Sequence, residues 1–585
     1  MSSRARHVLH TVAIAAAAGV GTGVVQALVG LWRQGIGHAF IWLSRDHVWM
    51  TPLGTMLVFM AGALPVLLVE AVLPRRDARL AAFVFGTAAV FSLALLIPGL
   101  HQLAGLLVAM GAGARAAAWI GRDPARRRST VYRSAAVLGA CAIAVAAWRD
   151  VSAHRSERRQ VASLPAAAEG APNVLVIILD TVRAASMSFL GYPRPTTPAL
   201  AALGAQGAVF EQAWSTAPWT LPSHAGMFTG RYPSQLSTDW RTPLDATPPT
   251  LAEALALRGY RTAGFAANHF YVSDEGGLSR GFEHWEDYKR TFKQVLLSAT
   301  LLQTGVLRQL IDASSLGGRL RALTLLVPRT QVMWSSDRAL APDVTQGFLR
   351  WQAGIGNQPF LAFLNLYDAH LPYDPPGSWG TRFSPQGTEL DRYDGGIAYM
   401  DSTLGAMFDE LRQRGVLDRT LVIVSSDHGE LFGEHGLHGH GVSLYRPELH
   451  VPLVVRYPAR VPAGQRITAA VTLRDLPATV LDVVGAPQGF HGIPGTSWLP
   501  PTPGGAWPAG SAVVSQVSQG INTAPNEPVT RGPMSSLVTD SLHYIKNGDG
   551  REEVYAWRTD GGESRDVAAA SPLDRLRAAI AAAVR

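Results

Sequence analysis

Four apolar runs in this 585-residue chain end in residues that can do chemistry. NVLVIILD closes on Asp180, RTAGFAAN on Asn268, PFLAFLNLYD on Asp368 two residues before His370, and TLVIVSSD on Asp427 followed by His428. A carboxylate at a strand end can bind a hard divalent cation, and it can equally cap a following helix. Histidine adds a nitrogen ligand, or an acid or base that works near neutral pH. Two further segments carry polar groups. APWTLPSHAGMFTG places Thr220 and His224 at the start of a stretch with helical character. There an anion can sit on N-terminal amides, or Thr-Leu-Pro-Ser is simply a turn and cap. HGLHGHG contributes His435, His438 and His440.

Continuous apolar runs of this length read as strands buried on both faces of a parallel sheet. A fifth run, VPLVVRYP (451–458), follows the same pattern, and helical patterns such as ALAALGAQGAVF and MDSTLGAMFDELRQRG lie between the runs. This alternation is that of a doubly wound α/β sheet, where ligands bind beyond the carboxyl ends of the strands. The polar strand ends are therefore expected to converge on one site. A catalytic domain is expected over 172–500 and a smaller C-terminal subdomain over 501–585. In the latter, DSLHYIKNGDGREEVYAW reads as two strands about an NGDG turn, with a short helix at 573–584.

Residues 1–150 differ in composition, being rich in Ala, Val, Leu and Gly. Apolar stretches at about 8–32, 51–73, 80–98, 100–120 and 131–148 approach the roughly 20 residues that cross a bilayer. With the N-terminus inside, PRRDAR (74–79) and GRDPARRR (121–128) lie on the cytoplasmic face. Five crossings then place everything after a 151–171 linker outside the cell (inner) membrane. The same arginines account for the net charge of +7, so nucleic-acid binding is not expected. Cys141 is the single cysteine, which excludes a disulfide or a thiolate metal site. Residues 291–340 form an insertion with apolar residues at helical spacing. Helices packed on the domain are the expectation for it, with a bilayer-surface helix or a lid as alternatives.

In chain order, LDTVRA, TLPSHAGMFTG, GYRTAGFAAN, YDAHLPY, and SSDHGELFGEHGLHGHG followed by LYRPELHVPLVVRYP resemble the sulfatase family of the alkaline-phosphatase superfamily. With five apolar stretches ahead of them, the whole is similar to its membrane-anchored branch, which includes lipoteichoic acid synthases and phosphoethanolamine transferases. The resemblance implies that Asp180, Asp427 and His428, with the Thr220 oxygen, hold one divalent ion. It makes Thr220 the nucleophile, and His370 and His440 the groups that touch the anion or protonate the leaving group. His224, Asn268, Asp368, His435 and His438 are expected along the substrate. Thr181 stands where the family usually has a second acid, which weakens a calcium site and leaves Mn, Mg, Ca and Zn open.

Three positions depart from the family pattern. Thr220 replaces the residue that sulfatases oxidise to formylglycine, His224 replaces the arginine after Pro-Ser, and a lysine is lost at about Ala267. A sulfated threonine has no elimination route, whereas a phosphothreonine is resolved by a second attack at phosphorus. The expectation is a metal-dependent hydrolase or transferase of phosphate esters or phosphodiesters, its substrate an anionic ester with lipid-linked ones included. A sulfuric ester hydrolase without formylglycine is the alternative, and a non-catalytic membrane protein a further one.

Overall fold

Five helices lead the chain: α1 (Ser3–Gly35), α2 (His47–Val72), α3 (Arg79–Ala94), α4 (Gln102–Arg122) and α5 (Pro124–Ser163). The computed structural model describes residues 3–35, 46–72, 78–97, 99–287, 291–303, 338–502, 504–510, 512–521 and 523–584. It forms two units, 1–156 with 289–337, and 157–288 with 338–585. In the first, small residues let helices approach closely. A Cβ on Gly19 would lie 2.6 Å from the Met56 Cα, and one on Gly23 2.4 Å from the Pro52 Cα. α3 runs antiparallel along α4, with Arg79 beside Gly121 and Ala94 beside Gly105.

Among the described residues, four helices are long and apolar enough to cross a membrane: Ala5–Arg33, His47–Val72, Gln102–Arg122 and Ser129–Ser163. Arg79–Ala94 is a shorter apolar helix, and the set fits a membrane bundle. The linker expected from 151 is helical as far as Ser163. No Gly or Pro interrupts the chain between Arg149 and Ser163, so nothing stops the helix before Pro165.

Most of PRRDAR, residues 36–45 of the outer loop, and 304–337 of the insertion lie outside the described residues. The described part of the insertion, helix Phe292–Leu297 and the turn Thr300–Gln303, packs on the bundle, which corrects the expectation of helices on the α/β domain. The Val295 carbonyl sits where a Cβ on Gly54 of α2 would be 1.9 Å away, and Leu301 packs against the cluster of Phe59 and Phe85.

The second unit is built on strands β1 (Asn173–Leu179), β2 (Ala208–Trp214), β3 (Arg261–Ala266), β4 (His284–Glu286), β5 (Phe360–Leu366), β6 (Thr420–Ser425), β7 (Leu431–Phe432), β8 (His438–Gly439), β9 (His450–Arg456) and β10 (Gln465–Thr472). Eight of them form one sheet in the order β10-β2-β9-β6-β1-β5-β3-β4, while β7 and β8 pair as a separate hairpin. β1 lies between β5 and β6, parallel to both, and all seven of its residues are buried.

The sheet is mixed rather than all parallel, because β9 runs antiparallel to both β6 and β2. Only the small hairpin and the four-residue helix Arg446–Leu449 separate β6 from β9, with no long crossover helix to carry the chain back for a parallel pairing. ALAALGAQGAVF is helical only to Gly204, and its last three residues open β2. The C-terminal subdomain is an antiparallel sheet of β11 (Val513–Val517), β12 (Met534–Val538), β13 (His543–Lys546) and β14 (Glu552–Tyr555), followed by helix Leu573–Ala583. β13 and β14 are the pair expected about the NGDG turn.

Candidate active site

β3, β5, β1 and β6 end side by side, and the site forms just beyond them. Asp180 is fully buried. Its Oδ2 accepts from the amides of Asn268 at 2.9 Å and Asn365 at 3.1 Å, and its Oδ1 from the Thr181 hydroxyl at 2.9 Å. Asp427 Oδ1 accepts the backbone N–H groups of Thr181 at 3.1 Å and His428 at 2.9 Å, which leaves Oδ2 buried without a hydrogen-bond partner. The hydroxyls of Ser223, at 2.7 Å, and Ser215 both donate to the Asp427 carbonyl.

Thr181 adopts φ 67°, the left-handed region that a β-branched residue rarely enters. Such a backbone costs on the order of 1–3 kcal/mol and persists only where its surroundings hold it. Here the Thr181 N–H and hydroxyl bind the two acids, and its carbonyl accepts from the Tyr393 hydroxyl at 2.8 Å.

Helix Thr220–Thr229 opens at the expected nucleophile, whose Oγ1 lies 3.2 Å from His428 Nε2. His428 Nδ1 is 3.0 Å from the Gly429 carbonyl, which can only accept. Nδ1 therefore carries the hydrogen, and Nε2 turns its lone pair toward Thr220 and toward Asp427 Oδ2 at 3.4 Å. One turn along the helix, His224 donates through Nδ1 to the Thr220 carbonyl at 2.8 Å, and its Nε2 is buried without a partner.

One ligand atom each from Asp180, Asp427 and His428 lies within 4.8 Å of the others, the one such cluster among the described residues. Burial pushes both carboxyls above the usual range, with the Asp427 carboxylate adding to the effect on Asp180. Burial, with His440 beside it, takes the His428 imidazole down to about 3. Two buried acids, a neutral imidazole and an orphaned carboxylate oxygen form a donor set that fits a divalent cation.

His440 completes the site. Its Nδ1 donates to Glu430 Oε1 at 3.0 Å, and its ring lies 4.5 Å from that of His428 and 5.0 Å from that of His370. Pairing of Leu431 with Gly439 in the β7–β8 hairpin sets Glu430 and His440 opposite each other. Burial opposes charge on His440, but the Glu430 carboxylate outweighs it and raises the imidazole to about 9. His370, held through Nδ1 on the Leu371 carbonyl at 2.8 Å, is kept well below its usual value by burial and by His440.

The structure thus gathers Asp180, Thr220, His224, Asn268, His370, Asp427, His428 and His440. Three expected substrate residues fall elsewhere. Asp368 accepts the Ala341 N–H at 3.0 Å in the first turn of helix Ala341–Ile355, and burial carries its carboxyl up to about 7. It caps a helix. His435 stacks on Tyr445 with ring centres 3.7 Å apart, and His438 is exposed on β8. Two residues of the site escape notice in the sequence. Asn365 is the one polar residue of the buried strand β5, and Glu430 follows His428 by two in SSDHGE.

The sulfatase family profile matches residues 172–486, more than half of the chain. Arylsulfatase K of Bos taurus is 26% identical over 384 residues, which cover 56% of this chain and 66% of that protein. The chain thus spans just under two thirds of the length of that curated relative. Among solved structures, the phosphonate monoester hydrolase of Agrobacterium radiobacter superposes with a TM-score of 0.54 at 20% identity, covering 71% of this chain and 94% of that one. The phosphonate monoester hydrolase of Silicibacter pomeroyi gives 0.51 at 21% identity, with the same 71% and 94% coverage. These two share the fold. Profile, relatives and the assembled strand-end residues agree, and the chain belongs to the sulfatase family, a hydrolase family of the alkaline-phosphatase superfamily.

Proposed function

We propose that this chain is a metal-dependent hydrolase or transferase of phosphate esters and phosphodiesters that uses Thr220 as its nucleophile. The observation that carries the reading is the 3.2 Å approach of Thr220 Oγ1 to the lone pair of His428 Nε2, inside the Asp180, Asp427 and His428 cluster. A divalent cation held by those three residues supplies Lewis acidity that favours the alkoxide of a nearby hydroxyl. Thr220 Oγ1, whose proton would pass to solvent as the cation binds, attacks phosphorus as the alkoxide, and the P–O bond to the leaving group breaks as the new one forms. His440, its Nδ1 fixed on Glu430, donates a proton from Nε2 to the departing oxygen. Water or an acceptor hydroxyl then attacks the phosphothreonine, gives its proton back to His440, and releases Thr220. Asn268 and Asn365 orient Asp180, and His224 fixes the first turn of the nucleophile helix.

The α/β domain belongs on the extracytoplasmic side of the inner membrane, anchored there by the N-terminal helices. α3 supports the fifth crossing. Though shorter, it lies along most of α4, from Arg79 beside Gly121 to Ala94 beside Gly105. A catalytic domain tethered to a bilayer suits lipid-linked or envelope esters.

Hydrolysis of sulfate esters is the second reading, favoured by the arylsulfatase names of relatives. With Mn²⁺, the purified protein is expected to turn over bis(4-nitrophenyl) phosphate faster than 4-nitrophenyl sulfate. The opposite order assigns the site to sulfate, and no turnover of either favours a binding role.

Glu430→Gln removes the carboxylate behind His440. The expected loss is about 100-fold in kcat on an alkyl ester, and much less on a 4-nitrophenyl ester, whose leaving group needs no proton. Equal losses on both would reduce Glu430 to support of the fold.

A further inference from the structure

Arg446 is a largely buried cation with no acid paired to its guanidinium. It lines a cavity of about 390 Å³ together with Arg183, Arg466, Glu211 and His450. The cavity adjoins the active-site segment, since Gly429, next to His428, is wedged against Pro447 and Arg183 on the cavity wall.

Two of the cavity's three arginines hold a carboxylate directly. Arg183 pairs with Glu434 at 2.7 Å and Arg466 with Glu211 at 2.7 Å. Arg446 forms no ion pair among the described residues. Its guanidinium donates to the Trp557 carbonyl at 2.9 Å, the Gln212 side-chain oxygen at 3.2 Å and His450 Nδ1 at 3.4 Å, and lies near the rings of Trp214 and Trp557.

His450 brings no negative charge. Its Nε2 donates to the Glu211 carbonyl at 2.8 Å, and burial and Arg446 keep it neutral, down to about 3. Glu563 is the nearest acid and its charge favours the guanidinium, but its oxygens are engaged elsewhere, one by the backbone N–H of Arg446 at 2.8 Å and the other by His543. A guanidinium drawn out of water with only neutral acceptors in direct contact gains from an anion that joins it. Guanidinium groups also match the oxygens of phosphate and sulfate in pairs.

We propose that this cavity is a second anion site, separate from the Thr220 centre, that binds a phosphate or sulfate group through Arg446 with Arg466 beside it. Its volume is that of a small-ligand pocket and holds the group that carries the anion as well. A sugar-sized phosphate or sulfate ester fits this description. The anion has two possible sources, free inorganic oxyanion or a second charged group on a polyanionic substrate. Binding here does not depend on which ester the Thr220 centre turns over.

Isothermal titration of the full-length, metal-loaded protein tests the proposal, with inorganic phosphate, inorganic sulfate, glucose 6-phosphate and glucose 6-sulfate as probes. Wild type is expected to show a binding event that Arg446→Gln weakens at least tenfold, with turnover of a 4-nitrophenyl ester unchanged. Arg466→Gln, at a half-exposed position where misfolding is not expected, is to weaken the same event by a smaller factor. Binding by the inorganic ions points to free anion, and binding by the sugar esters alone points to a group carried on the substrate. Unchanged affinity for all four probes in both folded variants, or an event in wild type that only a competitive inhibitor of turnover abolishes, would overturn the second site.

Discussion

Thr220→Ala is expected to lower kcat on the order of 10⁴- to 10⁶-fold, the scale seen when a covalent nucleophile is removed. The fold should survive the change. Thr220 is buried at the first turn of helix Thr220–Thr229, where alanine is well tolerated, and its hydroxyl makes a single side-chain contact, to His428. Losing that hydrogen bond costs about 1 kcal/mol. Asp180, Asp427 and His428 remain and only the Thr220 oxygen is lost as a ligand, so bound metal measured by elemental analysis should fall far less than in an Asp427 variant. Thr220→Ser, which keeps the hydroxyl, is expected to recover part of the rate. Near-normal turnover by the alanine variant would remove threonine from the mechanism.

Asp427→Asn separates metal binding from folding. The asparagine oxygen can still accept the N–H groups of Thr181 and His428, so the turn after β6 keeps its shape. Its amide nitrogen then takes the place of Oδ2, the oxygen without a partner, and can donate to the lone pair of His428 Nε2 3.4 Å away. One substitution thereby neutralises a ligand and occupies another. The expected result is loss of bound divalent metal and at least a 100-fold fall in activity. With metal stripped from both proteins, the variant should melt no lower than wild type, because an unpaired charge has left a dry site. Unchanged metal content would reject Asp427 as a ligand.

Much of this centre could be read from residue order because of how the sheet is buried. β1, β3, β5 and β6 are covered on both faces, so each appears as a continuous apolar run, and the first polar residue after it marks the active edge. The antiparallel course of β9 leaves no such trace, since a strand buried on both faces looks alike in either direction. β2 was hidden because Glu211 and Gln212 interrupt it midway and expose it in part.

Asp368 shows the limit of the strand-end rule, because an acid there serves a helix N-terminus as well as an ion. The three histidines of HGLHGHG differ only in their place on the β7–β8 hairpin. Register sets His440 against Glu430, while His435, itself left-handed at φ 55°, stacks on Tyr445. No single-residue property distinguishes them.

The central claim is that Thr220 becomes covalently phosphorylated during turnover. Rapid acid quench of the metal-loaded enzyme with a slow phosphodiester, followed by accurate-mass peptide analysis, reads this directly. The peptide carrying APWTLPSHAGMFTGR is predicted to gain one phosphoryl group on Thr220, absent from Thr220→Ala and lost on a chase with excess acceptor. An unmodified Thr220 during sustained turnover, or a sulfuryl group in its place with a sulfate ester as the faster substrate, would contradict the account.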